Sequence, residues 1–217
     1  MEIVNLETGR LAAYCKEQLR RLVPFGDETD FDLIDIHLSE ALARLDHCIS
    51  AVRIWKPGSF DVLHSSQYCT FLYYLSNTIW RAERAVTLCT KLFLLNKQIN
   101  AIDMFYEIEM PEVFLIGHSV GIVLSKATYG NYFMIHQNCT VGKNNGIAPV
   151  IENGVILFPN SAVIGKSLVR QRTVVAQGVS VIDRDTQAHL IAFQGPENSL
   201  VFKRDKRDIL SDFFRNF

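Results

Sequence analysis

Up to about Asn100 the apolar residues of this chain return at helical spacing, and beyond it they return every six residues. The run FDLIDIHLSEALARLDHCISAVRIW, preceded by the cap candidates Thr29 and Asp30, has the pattern of an amphipathic helix. A breaker cluster, KPGS at 56–59, separates it from QYCTFLYYLSNTIWRAERAVTLCTKLFLL, which reads as one further amphipathic helix or a pair. Its polar face holds Arg81, Glu83 and Arg84. Its aromatics Phe71, Tyr73, Tyr74 and Trp80 are expected in the core or at a subunit contact.

After Pro149 the six-residue period is strict. Ile151, Leu157, Val163, Val169, Val175 and Val181 stand six apart, and the fifth place of the first five hexads holds Val155, Ser161, Ser167, Thr173 and Val179. An aliphatic first position with a small or β-branched fifth position predicts a parallel β-helix, each hexad giving one short strand and one corner of a triangular coil. Three hexads make a coil. The rhythm continues upstream through Val123, Tyr129, Ile135 and Val141, and, one residue out of phase, through Met104, Met110, Ile116 and Ile122. The slip predicts a bulge or tightened corner beside Gly121. Because one coil takes eighteen residues, His118 and His136 should lie on one face, one above the other, apart from any offset the slip introduces. The expected fold is α+β: a helical region at 1–102, a β-helix at 103–196 and a tail at 197–217. The tail's DILSDFFRNF is amphipathic and is expected to cap or cross the last coil, covering its open edge.

Composition narrows the function. With 48% hydrophobic residues the chain has ample material for a core, and 22 Lys plus Arg against 23 acidic residues provide no electrostatic excess for nucleic acid or an anionic membrane. The five cysteines form no CxxC pair and no ligand spacing, so reduced thiols, a cytoplasmic location and no metal are expected. The apolar run AVTLCTKLFLL is about half a membrane span. Neither GxGxxG nor a P-loop is present; IGKS at 164–167 falls inside the hexad register. NGI near Asn145 reads as the tip of a loop between coils.

His118, in GHSVGIV, is flanked by Gly117 and Gly121, where bare backbone would let a ligand approach; His136, in IHQNCT, reads more simply as structural. Here the residues carry a likeness. The segment from about 70 to 196 resembles the hexapeptide-repeat acyltransferases, and bacterial serine acetyltransferases in particular: HSVGIV matches that family's HATGIV, and HQNCTVG its LQSVTLG. Asp103 stands fifteen residues before His118, as an Asp does in the family. The resemblance implies a left-handed β-helix and acetyl-CoA as donor. It implies His118 as general base and Asp103 as its orienting carboxylate, although Asp103 reads equally as a turn residue. It lays the donor along Gly142, Pro159, Asn160, Gln177 and Gly178, with Lys203 and Arg204 near the CoA phosphates or simply in a solvated tail. It also implies homotrimers with sites between subunits, or dimers of trimers joined through the helices.

The departures fall where that family holds its amino-acid acceptor. Gly117 replaces an Asp, and GIAPVI replaces an Arg-His-Pro run, leaving Ile147 and Ala148. A zwitterion would lose its charged partners. The expectation is therefore an O-acetyltransferase for a different hydroxyl, on a sugar of a surface polysaccharide or its precursor, with Gly117, Tyr129, Tyr132 and Asn138 as acceptor residues. Serine O-acetylation, transfer to a nucleotide-sugar amine and a non-catalytic scaffold are the alternatives.

Overall fold

The computed structural model describes residues 1–26, 28, 30–204 and 206–217. Its first hundred residues comprise β1 (Glu2–Val4), α1 (Leu11–Leu22), α2 (Asp32–Ala51), β2 (Ser59–Asp61), α3 (Ser65–Glu83) and α4 (Val86–Asn100). The parallel β1–β2 pair was not foreseen, since three-residue strands offer too short a period to read. Phe31 occupies the cap position of α2 in place of Asp30, and Thr29 lies outside the described residues. The aromatic segment is a pair of helices. Arg84 ends α3 in the left-handed conformation, φ 55, with its guanidinium 4.7 Å above the Trp80 ring.

Helix α3 is buried along almost its whole length because α2 and α4 flank it and the start of the coil lies beneath it. That start, around 105–113, is irregular, and side chains of the helices satisfy its backbone. Tyr73 Oη donates to Ile108 O at 2.5 Å and accepts from Met110 N at 3.1 Å. Asn77 Nδ2 donates to Tyr106 O at 2.8 Å, and Tyr74 Oη to Glu112 O at 3.0 Å. The aromatic stripe thus joins the helices to the coil. Phe71, Tyr73 and Tyr74 are core residues, and Trp80 is half-buried.

From Ile102 the chain winds five left-handed coils. Their strands are β3 (Ile102–Met104), β4 (Phe114–Ile116), β5 (Ile122–Leu124), β6 (Thr128–Tyr129), β7 (Phe133–Ile135), β8 (Thr140–Gly142), β9 (Val150–Ile151), β10 (Ile156–Leu157), β11 (Ala162–Ile164), β12 (Leu168–Val169), β13 (Val174–Val175), β14 (Ser180–Ile182) and β15 (Leu190–Gln194). One face stacks β4, β7, β10, β13 and β15 in parallel, a second β3, β5, β8, β11 and β14, and a third β6, β9 and β12. The six aliphatic first positions are all buried, and so are the small fifth positions Ser161, Ser167 and Thr173. Small residues fit there because the chain turns sharply at each corner and the two converging faces leave little room inside it.

Pairing is in eighteen-residue steps where the hexads are strict, as Leu157 with Val175 and Val163 with Val181. It departs from that step in three places, the last a one-residue shortening where Val175 pairs with Ala192. Ile135 pairs with Leu157, four residues further than one coil, because the loop after β8 is inserted there. Asn144 and Ile147 bridge across the Asn145–Gly146 tip, whose φ values of 48 and 79 suit a tight hairpin. The upstream slip is the second departure: Ile116 pairs with Ile135 but Val123 with Thr140, so the corner at 117–121 carries the excess. In consequence Val123 points outward, 44% exposed, and Leu124 takes the inward place opposite Val141.

The last coil is closed by β16 (Leu200–Arg204), antiparallel to β15. The tail beyond it does something else. Helix α5 (Leu210–Phe213) crosses back over the lower coils, Phe214 bridges Val52, and the Arg215 guanidinium donates to the carbonyls of Ser50, Val52, Arg53 and Trp55 at 2.5 to 3.0 Å. A backbone that has run out of coil register is drawn instead to the unsatisfied carbonyls at the end of α2.

Candidate active site

The corner between the first and second faces collects most of the residues singled out in the sequence. Four successive turns, 117–121, 136–139, 158–161 and 176–179, lie one above another. Each passes through a left-handed residue: Gly121 at φ 74, Asn138 at 58, Asn160 at 62 and Gly178 at 73. Only Gly and Asn adopt this conformation at little steric penalty, which is why they recur here. Their amides tie the turns together, Asn138 N to Val120 O at 2.9 Å, Asn160 N to Gln137 O at 3.1 Å and Gly178 N to Pro159 O at 3.0 Å. Gly117, His118, Asn138, Pro159, Asn160, Gln177 and Gly178 thus share one edge of the coil.

His118 is exposed on that edge, and no hydrogen bond holds its ring among the described residues. It does not stack directly over His136. The longer corner makes Gly117 the partner of His136 in the ladder, with Gly117 N donating to Ile135 O at 2.8 Å. The two imidazoles are nevertheless neighbours, with ring centroids 6.5 Å apart and planes at 43°. His136 is half-buried, its ring stacked on Phe158 at 5.3 Å and edge-on to Phe213 at 6.2 Å. Its Nε2 is buried with no hydrogen-bond partner among the described residues. Burial, and then the neighbouring His118, lower its pKa, so the neutral imidazole is favoured.

Other expected site residues lie elsewhere or are already engaged. Asp103 sits on β3 beside Val123, and its carboxylate is paired with Lys97 Nζ at 2.6 Å; among the described residues no hydrogen bond joins it to His118. Tyr129 is a core residue. Its hydroxyl donates to Ser125 O at 2.8 Å and its ring packs on Phe133, so it presents no stacking face. Tyr132 is held by the tail, edge-on to Phe214 and Phe217 and donating to Asn216 O at 3.1 Å. Gly142 ends β8, where an added β-carbon would make only ordinary contact with Ile164 at 3.6 Å. Lys203 lies over Phe193 at 5.2 Å, and Arg204 pairs with Leu190 at the end of β15 remote from the corner column, about 10 Å along the strand. Phe158 and Phe213 went unnoticed in the sequence. Phe158 sits in the ladder beside His136, and Phe213 arrives from a tail that carries no repeat.

A prism of hexapeptide coils preceded by helices defines the class: the fold of the hexapeptide-repeat acyltransferases. More particularly, it is the fold of serine acetyltransferases. The enzyme from Neisseria gonorrhoeae superposes with a TM-score of 0.72 at 15% identity, over 93% of this chain and 81% of that one. A serine acetyltransferase in complex with CoA gives 0.70 at 17% identity, over 89% and 84%. The soybean serine acetyltransferase complexed with serine gives 0.62 at 20%, over 79% and 74%. No protein-family model matches the chain, and no curated protein sequence does. At these identities the likeness is one of fold.

Proposed function

We propose that this protein is an acetyl-CoA-dependent O-acetyltransferase in which His118 removes the proton from a hydroxyl of a neutral, sugar-like acceptor. The observation that carries the reading is the corner column, where an exposed imidazole with a free ring shares an edge with the residues matched to the donor groove. The relative bound to CoA shows that this fold accommodates the donor in that protein.

The chemistry follows from the group present. A neutral imidazole carries a basic ring nitrogen, so it can accept the hydroxyl proton as the oxygen attacks the thioester carbonyl. The new carbon–oxygen bond forms, the carbon–sulfur bond breaks, and the proton on His118 passes to the departing CoA thiolate, returning the histidine neutral. Backbone amides of the corner support the oxyanion. Asp103 would act as a positioning residue once its carboxylate exchanges Lys97 for the imidazole. Bare backbone at Gly142 leaves room beside the donor, since packing does not demand a glycine there. Lys203 and Arg204 would meet the CoA phosphates only at the far end of an extended donor.

The acceptor is argued from charge. Gly117, Ile147 and Ala148 offer nothing to a carboxylate or an ammonium, which disfavours a zwitterion. L-serine is the second reading, favoured by the soybean relative's serine complex. We further propose a cytoplasmic homotrimer, with outward apolar residues such as Val120, Val123 and Ile182 at the subunit contacts and the α-helices available to join trimers. No helix among the described residues is long and apolar enough to cross a membrane.

The test is thiol release from acetyl-CoA across a panel of L-serine, N-acetylglucosamine and methyl glycosides. A neutral sugar should be the best acceptor, and His118→Ala should lower turnover by at least about 100-fold while acetyl-CoA still raises the melting temperature. Full activity in His118→Ala overturns the assignment. Neither turnover nor acetyl-CoA stabilisation would leave a non-catalytic scaffold.

A further inference from the structure

In the ladder of the corner column, the positions preceding the left-handed turns are Gly117, His136, Phe158 and Ala176. One large aromatic, Phe158, covers one face of the His136 ring with planes 13° apart, and Phe213 of the tail stands edge-on to it. On the other side its ladder neighbour is Gly117, which carries no side chain. A β-carbon on Gly117 would stand 2.7 Å from His136 Nδ1 and 3.0 Å from its Cε1, so the absence of a side chain at 117 is what makes room for the imidazole beside His118. Nε2 remains unpaired. A buried polar atom without a partner is disfavoured, and native proteins keep such groups chiefly where something else completes them.

We infer that His136 is a specificity-determining residue of the acceptor site, a neutral hydrogen-bonding group that reads a hydroxyl adjacent to the one His118 deprotonates. The inference rests on the transfer reading above and deepens it. Gly117 carries no side chain and His136 presents an imidazole, so neither contributes a carboxylate to the site. A zwitterion finds no counter-ion there, whereas a neutral polyol finds one imidazole to receive its reacting proton and a second to exchange a hydrogen bond with its neighbouring hydroxyl. Phe158 and Phe213 hold the ring in place and supply apolar surface of the kind that packs on the C–H face of a pyranose.

The experiment compares wild type, His118→Ala, His136→Phe and the double variant Gly117→Asp/His136→Leu on N-acetylglucosamine, methyl glycosides and L-serine, with imidazole nitrogen resonances followed by NMR. His136→Phe keeps an aromatic ring against Phe158. It should raise KM for the neutral acceptor on the order of tenfold while KM for acetyl-CoA is unchanged, because one hydrogen bond is lost from acceptor binding alone. The neutral acceptor should shift the His136 resonances of the wild type. The double variant should move the ratio of kcat/KM toward L-serine. Unchanged acceptor KM in His136→Phe, with unshifted His136 resonances and an inactive His118→Ala, overturns this inference and leaves the transfer reading standing. An active His118→Ala, or a wild type silent on the whole panel, instead overturns the transfer reading and this inference with it.

Discussion

Gly117 and His136 are matched across one turn of the coil: the missing β-carbon of the first makes the space in which the ring of the second lies, 2.7 Å from where that carbon would be. The match has energetic consequences. A methyl group at 117 forces the imidazole off Phe158 or displaces the strand end, and overpacking of this kind is destabilising by about 1–3 kcal/mol. Gly117→Ala should therefore lower the melting temperature by several degrees, and adding His136→Ala should restore most of the loss. Equal melting temperatures for Gly117→Ala and wild type would show that the ring moves aside freely.

The lowered pKa of His136 makes a pH prediction with a definite sign. Burial first, and then His118, favour the neutral ring in the folded state, so the unfolded chain binds a proton that the folded chain resists. This contribution to stability is complete above the ordinary histidine value of about 6.5 and is lost as pH falls through it toward the folded pKa. Denaturant midpoints of wild type should fall more steeply below pH 6.5 than those of His136→Phe. Parallel curves for the two would refute it.

Arg215 joins the two ends of the molecule. Its guanidinium makes four hydrogen bonds to carbonyls at and beyond the end of α2, and its own amide donates to Ala51 O at 2.7 Å. Removing a charged donor leaves those carbonyls to find water, so Arg215→Ala should destabilise by about 2 kcal/mol. It should also release the tail to proteolysis near 209–217. Limited digestion followed by mass spectrometry measures this directly, and a tail as resistant as that of wild type would be the contrary result.

Within the prism, Leu157 is fully buried and pairs with Ile135 below and Val175 above. Leu157→Ala leaves a cavity that rigid neighbouring coils cannot close, at a loss of about 2–5 kcal/mol. Because repeat stacks are stabilised through nearest neighbours, hydrogen exchange should quicken most in the strands directly above and below. Uniform acceleration through all five coils would argue for a single cooperative unit.

A direct probe of Asp103 uses its present partner. Lys97→Met frees the carboxylate from the 2.6 Å pair. If Asp103 positions His118, the variant should keep or raise kcat and shift the acid limb of its pH profile upward, because a nearby carboxylate stabilises the imidazolium. An unaltered profile in both Lys97→Met and Asp103→Asn assigns Asp103 to the surface pair alone.

The amino-acid sequence by itself determined the two periods. Helical spacing to Asn100 and strict hexads after Pro149 are local, repeated signals, and each aliphatic first position proved to be buried because the period of six has no other compact solution. The nearness of His118 and His136 followed from the eighteen-residue coil, apart from the offset of the slip. Tertiary structure alone decided what lies beside that histidine. The hexad slip announced an irregular corner beside Gly121 and NGI a loop between coils, but only the packed coils decided how far each shifts the pairing, turning Val123 outward and setting Gly117 against His136. The tail that brings Phe213 to the site is placed by Arg215 on carbonyls at and beyond the end of α2, more than 150 residues earlier in the chain. Such long-range pairings are selected by the packing of finished elements, and they leave no periodic trace in the chain.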